Sequence, residues 1–401
     1  MRSAKFLDRT SPPHIATLAL ATAFGALSMN IFLPSLPAIA KHFSVDYALA
    51  QLAVTLYLLA NAVLQLFIGP LSDRFGRRKM MLFFMGLALA ATVLAIFAPS
   101  MQWFLAARLL QGTAIAGLVI GRAVIRDMVG PGEAASMIGY VTMAMTLAPM
   151  LGPIAGGYLD EWFGWQSTLW LLSAFGVAAI GLVYLDLGET NHKPATSIGA
   201  QIATMPQLLG SGSFWLYCAT AAFSSGAFFA FVGGGPYLAS EFFKMLPSQY
   251  GYYFAIAGLG YITGNFLSGR FAARIGISTM MLAGGLIIVM GMSISALLLF
   301  AGLTHPLAVF GPVIFVGLGN GLTLPSANAG IVSVRPELAG AASGLGGFLQ
   351  IGGGALLSVL AGLVLGPQTG PLPLIVLMLF SAAISVMSTL AIIMFSKTPR
   401  D

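Results

Sequence analysis

Charge is what this chain has least of. Asp, Glu, Lys and Arg make up 7% of its 401 residues, against roughly 25% in soluble domains, so a surface built to face water on all sides is excluded. Cys218 is the single cysteine, which rules out a disulfide framework within the chain and fits a small buried apolar side chain. His14, His42, His192 and His305 fall at the ends of apolar segments. No cluster of His, Cys and carboxylates at helical spacing offers a metal site or catalytic pair, so the pattern implies no cofactor and argues against a membrane-embedded enzyme. A glycine-rich phosphate loop ending in Gly-Lys-Ser or Gly-Lys-Thr is missing, which removes an ATP-driven pump. The basic residues are split among many loops instead of forming one patch, which excludes a nucleic-acid partner.

Apolar length is what the chain has in abundance. Hydrophobic residues reach 58%, and a helix needs about 20 of them to cross the hydrocarbon core of a bilayer. Twelve stretches qualify: 15–38, 47–69, 79–98, 102–125, 134–159, 166–187, 213–236, 248–270, 278–301, 306–332, 339–364 and 373–396. None shows the alternating polarity of a barrel strand. The expected fold class is therefore an all-α integral membrane protein with twelve transmembrane helices. The polar start, MRSAKFLDRT, leads into a span too long for a signal-peptide core and is expected to be retained.

Lys and Arg set the orientation. Apart from Lys41, Lys244 and the deeply placed Arg108, all of them sort to the side that carries both termini, which predicts cytoplasmic termini and contact with anionic lipid headgroups. The longest polar break, 188–212, divides the chain into six-span halves, 1–187 and 213–401. Within it Ile198, Ile202, Met205 and Leu209 are spaced to suit a short helix on the membrane surface, and an irregular linker fits equally. LSDRFGRR (Leu71 to Arg78) aligns without gaps on LSGRFAAR (Leu267 to Arg274), an offset of 196 residues. Duplicated halves related by an axis along the membrane normal are a transporter architecture.

Four segments carry the functional signal. Gly69-Pro-Leu-Ser-Asp73-Arg74-Phe-Gly76-Arg77-Arg78-Lys79 places a turn glycine between spans two and three and an acid at a helix end, where it can pair with arginine or with a helix N-terminus. This segment resembles the loop between helices two and three of the major facilitator superfamily. The resemblance implies two pseudo-symmetric six-helix bundles, with Gly69, Asp73, Arg74, Gly76, Arg77 and Arg78 forming a cytoplasmic latch that stabilises the outward-open state. With Gly269 opposite Asp73 in the alignment, the second half's latch is expected to be weak.

Span four carries Leu105-Ala-Ala-Arg108-Leu-Leu-Gln111-Gly112. A mid-span Arg costs about 2.5–3.5 kcal/mol on insertion scales and normally faces a cavity or a partner. The segment is similar to the superfamily's helix-four motif, whose Arg takes part in proton coupling. Span five holds Pro149, Gly152, Pro153 and Gly156. Small residues four apart form a packing seam, and the prolines are expected to bend the helix. The arrangement resembles the antiporter motif of drug exporters. Ser28 to Pro37, together with Arg122-Ala-Val-Ile-Arg126-Asp127, resembles the bicyclomycin and chloramphenicol resistance branch of the drug:proton antiporters.

One departure from that branch matters. The position of Asn30 usually holds an Asp that exchanges protons while facing the helix-four Arg, and Asn cannot titrate. Asp46, Asp160, Glu161 and Glu241 fall toward one end of the spans, and Asp8, Asp73, Asp127, Glu133, Asp186, Glu189, Glu337 and Asp401 toward the other. No carboxylate is left for the membrane core. Candidate cavity residues are Asn30 and Arg108, the amides Asn61 and Gln350, the aromatics Tyr57, Phe223, Phe231 and Tyr253, and Met145 as a flexible apolar contact. These readings, with the resemblance, point to a monomeric inner-membrane exporter of small amphipathic drugs, chloramphenicol- or bicyclomycin-like, by alternating access and proton antiport. The alternative is an uptake carrier or uniporter for a small metabolite.

Overall fold

The computed structural model describes residues 6–9, 11, 13–128, 131–191, 205–335, 338–366 and 368–397, without the side chains of 131–136, 138–140, 142–146, 205 and 396–397. Twelve long helices run back and forth: α1 (Ile15–His42), α2 (Tyr47–Phe75), α3 (Arg77–Ile96), α4 (Met101–Met128), α5 (Pro131–Phe163), α6 (Gln166–Asp186), α7 (Gly212–Tyr237), α8 (Pro247–Ile275), α9 (Ile277–Phe300), α10 (Pro306–Ser333), α11 (Ala339–Val364) and α12 (Leu372–Lys397). Among the described residues there is no strand. Ten of the helices meet the length and polarity of a membrane span, α7 doing so with the π-turn Leu238–Phe242 that continues it. The other two, α5 and α8, are 33 and 29 residues long. They lie against each other, so α8 can keep polar residues such as Ser248, Asn265 and Ser268 away from lipid.

Local chemistry explains the irregularities. α1 is interrupted by a 3-10 turn at Leu33–Ser35, where Pro34 supplies no N–H to the ladder. A second 3-10 turn, Gly112–Ile115, interrupts α4 four residues after Arg108. α5 passes through Pro149 and Pro153 as one uninterrupted helix. The prolines do not end the helix, as neighbouring helices can enclose the freed backbone groups.

The duplication holds, in a different register. α2 ends at Phe75 before Gly76 (φ 97°) and α8 ends at Ile275 before Gly276 (φ 90°), conformations that favour glycine. The two helices are equally long, so the structural offset is 200 residues, one helical turn beyond the 196 of the sequence alignment. A four-residue slip keeps nearly the same helix face, which is why the shorter offset matched. Ala273, not Gly269, occupies the place of Asp73.

Glycines set the helix approaches, as expected where lipid offers no hydrophobic drive between helices. Gly25 and Gly117 bring α1 against α4 at the carbonyls of Ala114 and Ala21. Gly260 and Gly264 do the same for α8 and α10 at the carbonyls of Ile314 and Leu318. In the segment joining the halves, residues 192–204, with Ile198 and Ile202, lie outside the described residues. The short helix Met205–Leu209 buries Leu208 beside Phe214 and exposes Leu209.

Candidate functional site

Arg108 is fully buried. Its Nε donates to the carbonyl of Ala53 in α2 (3.2 Å), and Nη1 to the carbonyl of Ser28 in α1 (3.0 Å) and to Gln111 Oε1. Gln111 passes the link on by donating to Thr92 Oγ1 of α3 (2.6 Å). The guanidinium lies 4.0 Å from the ring centre of Phe32 and 4.8 Å from that of Tyr57, a cation–π arrangement that shields the charge from lipid. One Arg thus ties four helices of the first half. Nη2 has no protein partner.

Asn30 and Asn61 share this buried region and are not bonded to Arg108. Asn30 Nδ2 donates to the carbonyl of Ala26 one turn back (2.8 Å), while Asn30 Oδ1 and Asn61 Oδ1 find no protein partner. Tyr57 turns its hydroxyl to the carbonyl of Gly25 (2.7 Å). Orphaned buried polar atoms are costly and rare, and here three of them fall on α1, α2 and α4.

The remaining cavity candidates scatter. Phe231 is enclosed in an aromatic cluster with Phe254 (5.6 Å between ring centres), Phe310 and Tyr250. Tyr253 packs on Phe310 at 5.4 Å. Phe223 is half-buried, with its carbonyl accepting from Ser381. Gln350 is half-buried, and the side chain of Met145 lies outside the described residues.

At the face carrying the termini, Arg77 is the hub of the expected latch. It pairs with Asp73, its Nε meets Asp127 Oδ2 of α4 at 3.0 Å, and Nη1 donates to Ser72 Oγ at 2.7 Å. Glu189, beyond α6, accepts from the backbone N–H groups of Arg77 (2.9 Å) and Arg78 (3.3 Å), a carboxylate on the N-terminus of α3. Gly76 is needed for its positive φ, and a Cβ there would push aside the Glu189 carboxylate that caps α3. Arg78 donates to the carbonyl of Tyr184, Arg74 stacks on Phe75, and the Gly69 carbonyl accepts from Ser72 Oγ. Apart from Glu189, which lies in the connector, all these partners belong to the first half. The same face buries Asp186 completely, where it accepts from Leu7 N, His14 N and Thr17 Oγ1 at 2.6–2.7 Å. The sequence placed that acid only toward this end of the spans. Neither Glu189 nor Asp186 carries a local signal for its role, because their partners are more than 100 residues away.

Helix α5 bridges the halves. Gly156 lies against the carbonyl of Ile31 and Gly152 beside Leu27, both in α1. On the other side Gly157 meets Pro247 and Ser248 of α8, and Gly251 of α8 meets Pro153 and Ile154. Polar links join the halves at the face opposite the termini, among them a pairing of the Tyr158 and Tyr252 hydroxyls at 2.9 Å. Tyr47 donates to the carbonyl of Gly233 (2.8 Å), Gln51 Nε2 to Ser358 Oγ (2.6 Å), and Ser248 N to Glu161 Oε1 (2.7 Å). Gln51 was legible as an intramembrane amide but escaped selection.

Two bundles of six helices, joined through α2 with α11 and α5 with α8, with buried polar groups between helices, have the architecture of a secondary transporter. The chain belongs to the major facilitator superfamily, whose family model matches residues 18–358. An uncharacterized MFS-type transporter, YdgK, of Bacillus subtilis (strain 168) is 32% identical over 375 residues, 92% of each chain. A bicyclomycin resistance protein homolog of Haemophilus influenzae is 29% identical, covering 86% of this chain and 88% of the relative. Multidrug resistance protein D of Escherichia coli (strain K12) is 27% identical, covering 88% and 89%. In fold, the chain is similar to a bacterial homologue of the human lysosomal transporter Spinster, solved in an inward-facing, unoccupied conformation, with a TM-score of 0.73, 16% identity and coverage of 96% and 98%.

Proposed function

We propose that this multi-pass membrane transporter exports small amphipathic drugs from the cytoplasm across the inner membrane, with both termini cytoplasmic, by rocking its halves (1–187 and 213–401) about a central site. The observation that carries the reading is the double role of α5. Its antiporter-motif glycines press on α1 within one half and its next glycine presses on α8 in the other, so this helix is placed to act as the pivot. Relatives named for bicyclomycin and multidrug resistance support drug as the cargo. Asn30, Asn61, Tyr57 and Arg108 supply the polar side of the site in the first half, and Phe223 and Gln350 are its half-buried candidates in the second. The Asp73–Arg77–Asp127 network acts as the latch, holding α2, α3 and α4 as one body during rocking.

Proton antiport is the expected mode for this branch, and the chain's Asn30 weakens it. With every carboxylate at or near an end of a span, a uniporter or uptake carrier is the second reading. Chloramphenicol uptake into everted vesicles, with and without a pH gradient, separates the two. Gradient-dependent accumulation supports antiport, equilibration without accumulation supports the uniporter, and no movement of drug overturns export.

A further inference from the structure

Of the polar links named above between the halves, one is wholly buried. Gln51 of α2 is 1% exposed, and its Nε2 donates both to Ser358 Oγ (2.6 Å) and to the Ser358 carbonyl (2.8 Å) of α11. The same nitrogen donates to Thr55 Oγ1 (3.3 Å), one turn along α2. Tyr47, one turn the other way, donates to the Gly233 carbonyl of α7. Tyr47, Gln51 and Thr55 thus form one stripe of α2 at four-residue spacing, turned to the second half. The links of Tyr47 with Gly233 and of Ser248 with Glu161 are only partly buried, and that of Tyr158 with Tyr252 is exposed.

Two glycines of the second half make room for this amide. A Cβ on Gly233 of α7 would come within 2.8 Å of Gln51 Nε2 and 2.6 Å of Ser358 Oγ, and a Cβ on Gly362 of α11 within 2.9 Å of Gln51 Oε1. The three nearest neighbours of that Gly362 Cβ are all atoms of the Gln51 side chain. Gln51 therefore fills a slot formed by α7 and α11, with Ser358 as its acceptor. A polar key suits a contact that has to be broken and remade. Paired in the slot, the amide and Ser358 satisfy each other without water, and once apart each is satisfied by water, so the net difference stays near that of an ordinary hydrogen bond. Partial withdrawal leaves the amide buried and unpaired, which is costly, so the closed position is sharply defined.

We infer that Gln51 is the lock of the face opposite the termini. Its amide has to leave the slot between Gly233 and Gly362 before the halves part there, and the strength of its bonds to Ser358 sets how often they do. Gln51 is thus a positioning residue, acting through access to the central site. The inference rests on the rocking halves proposed above for the statement that this face opens during transport, while the slot itself stands on the packing.

The test is a labelling rate on the full chain in right-side-out membrane vesicles. Cys218, the single cysteine, is replaced by Ala, and the buried Thr55 by Cys, which places the sole thiol one turn from Gln51 on the same stripe. With both termini cytoplasmic, a membrane-impermeant maleimide reaches this thiol only when the opposite face opens. In that background Gln51→Ala should raise the labelling rate about tenfold, the scale of one to two ordinary hydrogen bonds lost from the closed state. Gly362→Ala should also raise it, because the new methyl group displaces the amide. The double variant should label no faster than Gln51→Ala alone, since the methyl group then lacks the Gln51 atoms it would press on, whereas a general structural cost of the alanine would add to the rate. An unchanged rate in folded Gln51→Ala, or additive effects in the double variant, would overturn the inference. Should Gln51→Ala not fold, Gly362→Ala decides, and an unchanged rate there overturns it. Chloramphenicol uptake into everted vesicles tests export separately. No uptake by the unaltered chain beside labelling that depends on Gln51 sinks export and leaves the lock standing.

Discussion

Arg108→Ala is the most informative single perturbation. It removes the charged donor to two backbone carbonyls in different helices, the link through Gln111 to Thr92, and the cation held between Phe32 and Tyr57. A hydrogen bond to a charged group contributes about 1.5–3 kcal/mol, and the lost bonds are offset in part because the variant no longer buries a charge. Water does not reach the site to replace the lost ties. We expect a loss of about 2–3 kcal/mol, read as a lower melting temperature in detergent, and loss of drug efflux by the fraction that still folds. Arg108→Lys keeps the charge but lacks the planar fork that spans two carbonyls, so it should recover part of the stability and little of the transport. Melting of Arg108→Ala at the unaltered temperature would refute the view that this side chain ties α1, α2, α3 and α4 together. Normal resistance at normal protein levels would place it outside the transport cycle.

Gly156→Ala should be worse than Gly152→Ala. The first puts a methyl group onto the backbone carbonyl of Ile31, which cannot give way, and the second meets the end of the Leu27 side chain at 3.2 Å. Overpacking of about 1–3 kcal/mol is expected for Gly156→Ala, and equal melting of the two variants contradicts the seam. Asp73→Asn and Asp127→Asn should each slow turnover, while Ala273→Ser, at the matching place in the second half, should not, as measured by initial vesicle rates. Equal slowing by all three would point to a general loop requirement.

The fold was readable because crossing a bilayer leaves few choices. Apolar length gave all twelve spans, including α5 and α8, whose polar residues between the halves mask their character. The repeat was readable but not its register, since a helix face nearly repeats after four residues and only the positive-φ glycines, Gly76 and Gly276, mark the true ends. Arg108 announced itself as an expensive ion. Its enclosure did not, because Ser28, Ala53 and Phe32 join it by tertiary packing alone. Glu189 and Asp186 stayed hidden for a related reason. Each reads as an ordinary acid at a helix end until the chain returns to it from a remote segment. Phe231 shows the converse, a plausible ligand contact by position that serves the packing of α7, α8 and α10.

The central claim is that this chain keeps the export framework of its branch while lacking the titratable group at position 30. The direct measurement is chloramphenicol transport in proteoliposomes under an imposed pH gradient, comparing the chain as it stands with Asn30→Asp. A carboxylate introduced there would be pulled toward its charged form by Arg108 and toward its neutral form by burial, so drug occupancy could shift its proton. The account predicts drug movement with little response to the gradient for the unaltered chain, and gradient-driven accumulation for Asn30→Asp. Full gradient-driven accumulation by the chain with Asn30 would contradict it.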